Sequence, residues 1–334
     1  MKKIAKFITT VFFVSTFSAQ ANMDFETKQS VMSSIIKVIK DKYVDVHRIK
    51  GILNNLQQLS KTTEYQAVIS SEKYADLITS ELSKTDKHFT LQWSEYNFQN
   101  MAKSKKEPWF TKLNRKNSGF NRVEILEGNI GYIDFWGFDQ VSEQSKEIVS
   151  TVLKFVANTD ALLIDLRDNG GGSGEMVQLI SSYFLKPSTH LNSIYSRESN
   201  TTHEFYTYKI DAVDHPLTMP IYILVDDETF SAAEEFAYNF KHLNRAVLVG
   251  ESTKGGANPW VYFPLKHGFR VGVPIARAVN PFTNTNWEGV GVEPDLISNS
   301  EGAFDVAYKA ALNKVKKTVT DVHQLSEINK ETLN

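Results

Sequence analysis

The chain has 334 residues, 41% hydrophobic and 12% aromatic, enough for one large core or a large domain with a small companion. Its 37 basic and 39 acidic residues leave a formal charge of −2, which argues against nucleic acid or an anionic membrane as principal partner. Cysteine is absent, so the chain has no disulfides, no thiol chemistry and no thiol for lipidation.

Lys2, Lys3 and Lys6, a mostly apolar run from Phe7 to Phe17, and Ala19-Gln20-Ala21 together read as a cleavable secretory signal over residues 1–21. That apolar run is too short for a permanent bilayer anchor, and an uncleaved interfacial anchor is the alternative. Cleavage after Ala21 leaves a net charge of −5. The product is expected to be periplasmic or secreted, without stable membrane insertion.

Between Phe25 and Leu82 the apolar residues fall at helical spacing: Val31, Ile35, Val38 and Ile39, then Ile49, Ile52, Leu53 and Leu56, then Tyr74, Leu77, Ile78 and Leu82. Residues 22–92 are therefore expected to form a small helical bundle of three or four helices. Residues 93–120 are rich in Lys, Asn, Ser and Gln and read as a connector.

From Ile130 onward strands alternate with helices. Strands are expected at 130–135, 161–166, 221–225 and 246–249, with helices at 142–157, 174–184 and from Ser231 to about Leu243. This alternation specifies an α/β domain with a largely parallel sheet over residues 121–315, followed by a C-terminal tail at 316–334. No internal repeat is present.

Two loops in this domain bear on chemistry. Ser231 follows the buried strand Ile221-Tyr222-Ile223-Leu224-Val225 and opens a helix, so its hydroxyl lies beside free backbone N–H groups, as a nucleophile with an oxyanion hole requires. Taken alone, the commoner reading is an N-cap, with Glu234 three residues on completing a capping box. The run Asp168-Asn169-Gly170-Gly171-Gly172-Ser173-Gly174 lets the backbone approach a ligand closely. It is no phosphate loop, because Gly-Lys-Ser/Thr is missing. Ser173 forms no G-x-S-x-G elbow, and His203-Glu204 lacks the second histidine of a zinc-binding H-E-x-x-H. Neither a metal nor an organic cofactor is expected.

An ordered set of blocks resembles the tail-specific, C-terminal processing proteases and their relatives, the tricorn core protease and the repeats of interphotoreceptor retinoid-binding protein. The blocks are Asp86-Lys87-His88-Phe89-Thr90-Leu91, Gly128-Asn129-Ile130-Gly131-Tyr132-Ile133, the strand and glycine loop from Leu163 to Gly172, Thr229-Phe230-Ser231-Ala232-Ala233-Glu234-Glu235, the run from Gly250 to Pro259, and Trp287-Glu288-Gly289-Val290-Gly291-Val292-Glu293-Pro294-Asp295. They span residues 86–295. The resemblance implies a crotonase/Clp-like spiral ββα core. The chain lacks the length for the PDZ domain usual in tail-specific proteases, which places it nearer the retinoid-binding-protein and tricorn branch.

Within that family the serine is activated by either a lysine or a histidine. Aligning the block after Gly250 puts Gly256 at the lysine position and leaves Lys254 out of register. His88 matches the tricorn-like histidine, and an imidazole with a pKa near 6.5 suits a general base at neutral pH. The serine that assists the tricorn histidine is replaced by Lys87, which leaves the orienting role open. Glu288 matches the glutamate completing the tricorn tetrad. The resemblance also implies oxyanion-hole amides from Gly171 and Ala232. The expected function is an exported serine peptidase acting on short or unfolded polypeptides. The alternative is a non-catalytic carrier of small apolar ligands on the same fold. Peptide specificity and oligomeric state stay open.

Overall fold

The computed structural model describes residues 23–94, 107–211 and 216–333. The expected signal, residues 1–21, and residues 95–106 of the expected connector lie outside them. Four helices open the described chain: α1 (Phe25–Lys42), α2 (Val46–Leu59), α3 (Thr63–Ala67) and α4 (Ser71–Leu82). Each starts where an Asp, Thr or Ser side chain accepts an otherwise orphaned first-turn N–H: Asp24, Asp45, Thr62 and Ser70. Their periodic residues Val31, Ile35, Ile39, Ile52, Leu56, Tyr74, Ile78 and Leu82 are buried.

After β1 (Thr90–Trp93) and α5 (Trp109–Arg115), the order is β2 (Phe120–Leu126), β3 (Ile130–Phe135), α6 (Glu143–Phe155), β4 (Ala161–Asp165) and α7 (Gly174–Ser182). Then come β5 (His190–Ser196), β6 (Thr201–Tyr206), β7 (Ile221–Val225), α8 (Ala232–His242) and β8 (Ala246–Gly250). The chain continues through β9 (Trp260–Pro264), β10 (Phe269–Pro274), β11 (Ala276–Val279), β12 (Leu296–Ile297), α9 (Ser300–Val315) and α10 (Val322–Leu333).

The expected α/β class is present. A six-stranded sheet runs β12-β8-β7-β4-β3-β2, parallel except for β2, which pairs antiparallel with β3. Every residue of β4 and β7 is buried, because helices cover both faces of the sheet. On one face Val149, Val177, Ile180, Phe236 and Phe240 of α6, α7 and α8 pack together. On the other, α9 lays Ala303, Ala307 and Ala311, four residues apart, against Leu163 and Leu224.

Two smaller antiparallel sheets, β1-β10-β9 and β11-β5-β6, were not foreseen from the sequence. The first joins the N-terminal helices to the rest, since Phe269, Val271 and Val273 of β10 share a core with Ile35, Tyr74 and Ile78. Two segments differ from expectation. Part of the expected connector is the helix α5, whose Trp109 ring lies against Gly170 so closely that a Cβ there would meet it at 2.8 Å. The expected tail holds α10, with Ile328 fully buried and Glu327 Oε2 accepting the Gly128 N–H at 3.2 Å.

Because β4 and β7 are parallel neighbours, their C-terminal ends open on the same edge of the sheet, where ligands of such sheets bind. The glycine loop follows β4 and the serine turn follows β7. Phe230 N–H donates to Asn169 O at 2.9 Å, which ties the two loops together.

Candidate active site

Ser231 sits between β7 and α8 at φ 57° and ψ −117°, a conformation that strains a residue with a side chain and persists only where its surroundings enforce it. Glu234 supplies that enforcement. Its buried carboxylate accepts N–H groups from Ser231 (2.8 Å), Gly255 (2.7 Å) and Gly256 (2.8 Å), and the Thr253 hydroxyl. Burial pushes Glu234 up to about 7 against the pull of these four donors. The Glu234 carboxylate on the Ser231 N–H thus makes the glutamate half of the capping box. Ser231 Oγ lies 3.2 Å from His88 Nε2.

His88 arrives from the other unit of the fold. It lies in the turn between α4 and β1, and the pairing of β1 with β10 carries that turn to the sheet edge. Its ring is buried, 4.6 Å from the Phe230 ring centroid. Burial lowers its pKa to about 4, well below the ordinary value expected from the sequence, so the imidazole is neutral at neutral pH.

Behind His88 stand two carboxyls. Asp86 Oδ1 accepts the His88 backbone N–H at 3.0 Å and lies 3.9 Å from His88 Nδ1. Its Oδ2 accepts from Asn258 Nδ2 at 2.8 Å and from the Tyr43 hydroxyl at 3.4 Å. Glu288 Oε2 accepts the N–H groups of Ala257 (2.7 Å) and Asn258 (3.2 Å). His88 Nδ1 and Glu288 Oε1 are buried without a hydrogen-bond partner among the described residues. Burial raises both carboxyls, and the charge of Asp86 helps carry Glu288 to about 8. The pair therefore keeps a proton at neutral pH. Asp86, with three donors on it, is the better seat for the charge.

Ligand atoms of Asp86, His88 and Glu288 all lie within 4.8 Å of one another, near enough to hold a metal ion. Their other atoms are already committed to backbone N–H groups, to Asn258 and to Ser231, an arrangement that suits the orienting of an imidazole.

Lys254 stands apart, its Nζ paired with Glu228 in a half-exposed ion pair. Nor can position 256 carry a lysine in this packing. A Cβ on Gly256 would meet the Phe230 ring at 2.1 Å and His88 Cε1 at 2.9 Å. The imidazole fills the room a lysine would need.

The oxyanion amides divide. The Ala232 N–H, at the positive N-terminus of α8, has no hydrogen-bond partner among the described residues. Gly171 departs from expectation, because its N–H donates to Asn169 Oδ1 at 3.0 Å. The next amide, Gly172 N–H, has no partner among the described residues. Gly171 still has to be glycine, since a Cβ at its φ of 80° would meet Phe230 O at 2.6 Å and Ser231 Cβ at 2.8 Å.

Sequence reasoning named Ser231, His88 and Glu288, which the structure brings together, but gave no role to Asp86, Asn169 or Asn258. For Asp86 a signal existed: in Asp86-Lys87-His88 the outer two residues are buried and Lys87 is exposed, the period-two pattern of an extended turn. The site opens into a cleft of about 1450 Å³ whose lining includes His88, Ser231, Ala232, Gly172, Trp109 and Trp260.

The family profile described as peptidase family S41 matches residues 129–298. The chain is similar to a carboxyl-terminal-processing protease of Synechocystis sp., 30% identical over 210 residues that cover 60% of this chain and 47% of that protein. It is also similar to the chloroplastic carboxyl-terminal-processing peptidase 2 of Arabidopsis thaliana, 32% identical over 168 residues, covering 50% and 31%. The chain thus spans about a third to a half of the length of these relatives. Among solved structures it resembles a candidate peptidase from Parabacteroides merdae ATCC 43184, with a TM-score of 0.61 and 17% identity over 88% of this chain and 99% of that one. It also resembles the photosystem II D1 C-terminal processing protease, at 0.53 and 14% over 82% and 94%. At these identities the structural likeness is one of fold.

Proposed function

Since the chain belongs to peptidase family S41, we propose that it is an exported serine peptidase cleaving short or unfolded polypeptides, with Ser231 as nucleophile and His88 as general base. Export rests on the reading of residues 1–21 as a signal. No helix among the described residues is long and apolar enough to cross a membrane.

The observation that carries this reading is the 3.2 Å approach of a neutral His88 Nε2 to Ser231 Oγ at the mouth of the cleft. Ser231 Oγ attacks the scissile carbonyl carbon as its proton passes to His88 Nε2. The oxyanion is held by the Ala232 N–H and by a glycine-loop amide, for which the Gly172 N–H is the candidate in place of Gly171. His88 then protonates the leaving amine, the C–N bond breaks, and water, activated by His88, releases the acyl group from Ser231. The imidazolium formed in between needs a negative charge at Nδ1, and Asp86 is 3.9 Å away, a gap of the kind that closes when substrate binds. Glu288 is a positioning residue: it holds the Ala257–Asn258 backbone and, by keeping its proton, leaves one net charge behind the histidine.

The use of histidine in place of lysine, supported by Gly256 and by the Lys254–Glu228 pair, favours the tricorn-like branch. The test is hydrolysis of a broad library of unstructured peptides by the purified protein and by S231A. Cleavage lost in S231A supports the proposal. No cleavage by either protein, with micromolar uptake of retinoid-like or fatty ligands, would replace it with the carrier reading.

A further inference from the structure

The cleft wall that leads from Ser231 along α8 to the first turn of α7 carries two carboxyls, Glu235 and Glu175. Glu235 lies four residues after the nucleophile and so stands one helical turn along on the same side of α8. Its carboxylate reaches across to α7, where a Cβ on Gly174 would meet Oε2 at 3.8 Å. Glu175 is next in the chain, with Oε2 accepting the Ser173 hydroxyl at 2.6 Å. Neither glutamate takes part in an ion pair among the described residues.

Two carboxyls on one cleft wall without a paired cation are unfavourable in a partly desolvated corner. Burial, with the charge of Glu175, holds Glu235 up to about 7 against the pull of Asn192. Asn192 is fully buried, and its Nδ2 closes no hydrogen bond of standard geometry among the described residues. Glu235 and Glu175 both line the cleft. Ile194 and Phe205 supply apolar surface to the same cleft, and His203 is a further titratable group lining it. The cleft thus combines apolar surface and two carboxyls with the amides of Gly172 and Ala232, where a carbonyl would lie.

We infer that this corner receives the side chain of the substrate residue that carries the scissile carbonyl, and that it selects lysine or arginine there. The aliphatic stem of such a residue lies along Ile194 and Phe205, and its cationic head lies between Glu235 and Glu175. This rests on the peptidase reading of Ser231, so the test must be able to fail separately from it.

The experiment compares dye-labelled peptides that differ at that one residue: lysine, arginine, norleucine or glutamate. Turnover is measured on the native protein, E235Q, E175Q and E235K, and binding is measured by anisotropy on S231A, which reads the subsite without catalysis. We expect kcat/KM for lysine to exceed that for norleucine by about tenfold or more, the ratio to collapse toward one in E235Q and in E175Q, and E235K to favour glutamate. S231A should bind the lysine peptide more tightly than the norleucine peptide. Cleavage of norleucine peptides as fast as lysine peptides would overturn the subsite and leave the peptidase standing. Tighter binding of lysine peptides with no cleavage by the native protein would keep the subsite and remove the peptidase. Neither cleavage nor a lysine preference in binding would overturn both.

Discussion

The nucleophile and its base come from two regions built on opposite principles. Around Ser231 the turn itself is held by committed polar atoms, with the Ala232 and Gly172 N–H groups left open beside it: one buried glutamate ties the serine turn to Thr253, Gly255 and Gly256 and holds the strained backbone. Around His88 the buried polar atoms are not all committed. Nδ1, Glu288 Oε1 and Asn258 Oδ1 are buried without partners among the described residues, and Asp86 stops 3.9 Å short of the imidazole. A nucleophile gains from being fixed before substrate arrives, because its geometry decides the attack. A base whose charge changes during the reaction gains from an orienting contact that tightens only as the imidazolium forms. The unpaired atoms thus mark the part of the site whose bonding changes during turnover.

The sharpest way to break this contrast is to remove its two ends. S231A should lower turnover at least ~10³-fold with the fold unchanged, since one hydroxyl carries little packing volume, as activity and circular dichroism on the same sample would show. H88A should cost at least ~10²-fold and K254A no more than about twofold in kcat. The reverse ranking would move the base to the lysine. E234A addresses the committed side. It strips acceptors from three N–H groups and a hydroxyl, and should cost about 2 to 4 kcal/mol in urea unfolding, far more than a surface substitution.

The smallest effects are those of pH. His88 is depressed from 6.5 to about 4, so the acid limb of kcat/KM should fall near pH 4 and not near 6.5. Glu288 and Glu234 are raised from 4.5, to about 8 and about 7. The stability they contribute is fully present below 4.5 and is lost as pH rises through 7 to 8. The His88 contribution has the opposite sense, being present above 6.5 and lost as pH falls through 4. Thermal midpoints should therefore decline from pH 5 to pH 9, and the decline should be smaller in E288Q. An unchanged slope in E288Q would mean that Glu288 is not the protonated member of the pair.

Much of this was legible because it is periodic or local. The runs that became β3, β4, β7 and β8 are apolar along their length, as strands covered on both faces must be, and the N-terminal helices declared themselves by spacing and caps. What stayed hidden depends on pairing between distant segments. β1 pairs with β10 across a separation of some 180 residues, and without that pairing nothing in the sequence alone brings His88 to Ser231. The strands β5, β6, β9 and β11 are partly exposed, and β9 and β10 each end on a proline, so their signals in the sequence were weak. In α10 the spacing of Val322, Leu325 and Ile328 was a helical signal in a segment taken for a tail. The Gly171 amide misled for a different reason: its direction is set by the Asn169 side chain, which a motif does not encode.

The most direct test of the account is labelling with a fluorophosphonate, followed by mapping of the modified residue in the native protein, H88A and K254A. The account predicts a single adduct on Ser231, formed at nearly the native rate in K254A and at least ~10²-fold more slowly in H88A. An adduct on another serine, or labelling of Ser231 that survives the loss of His88 and stops with the loss of Lys254, would contradict it.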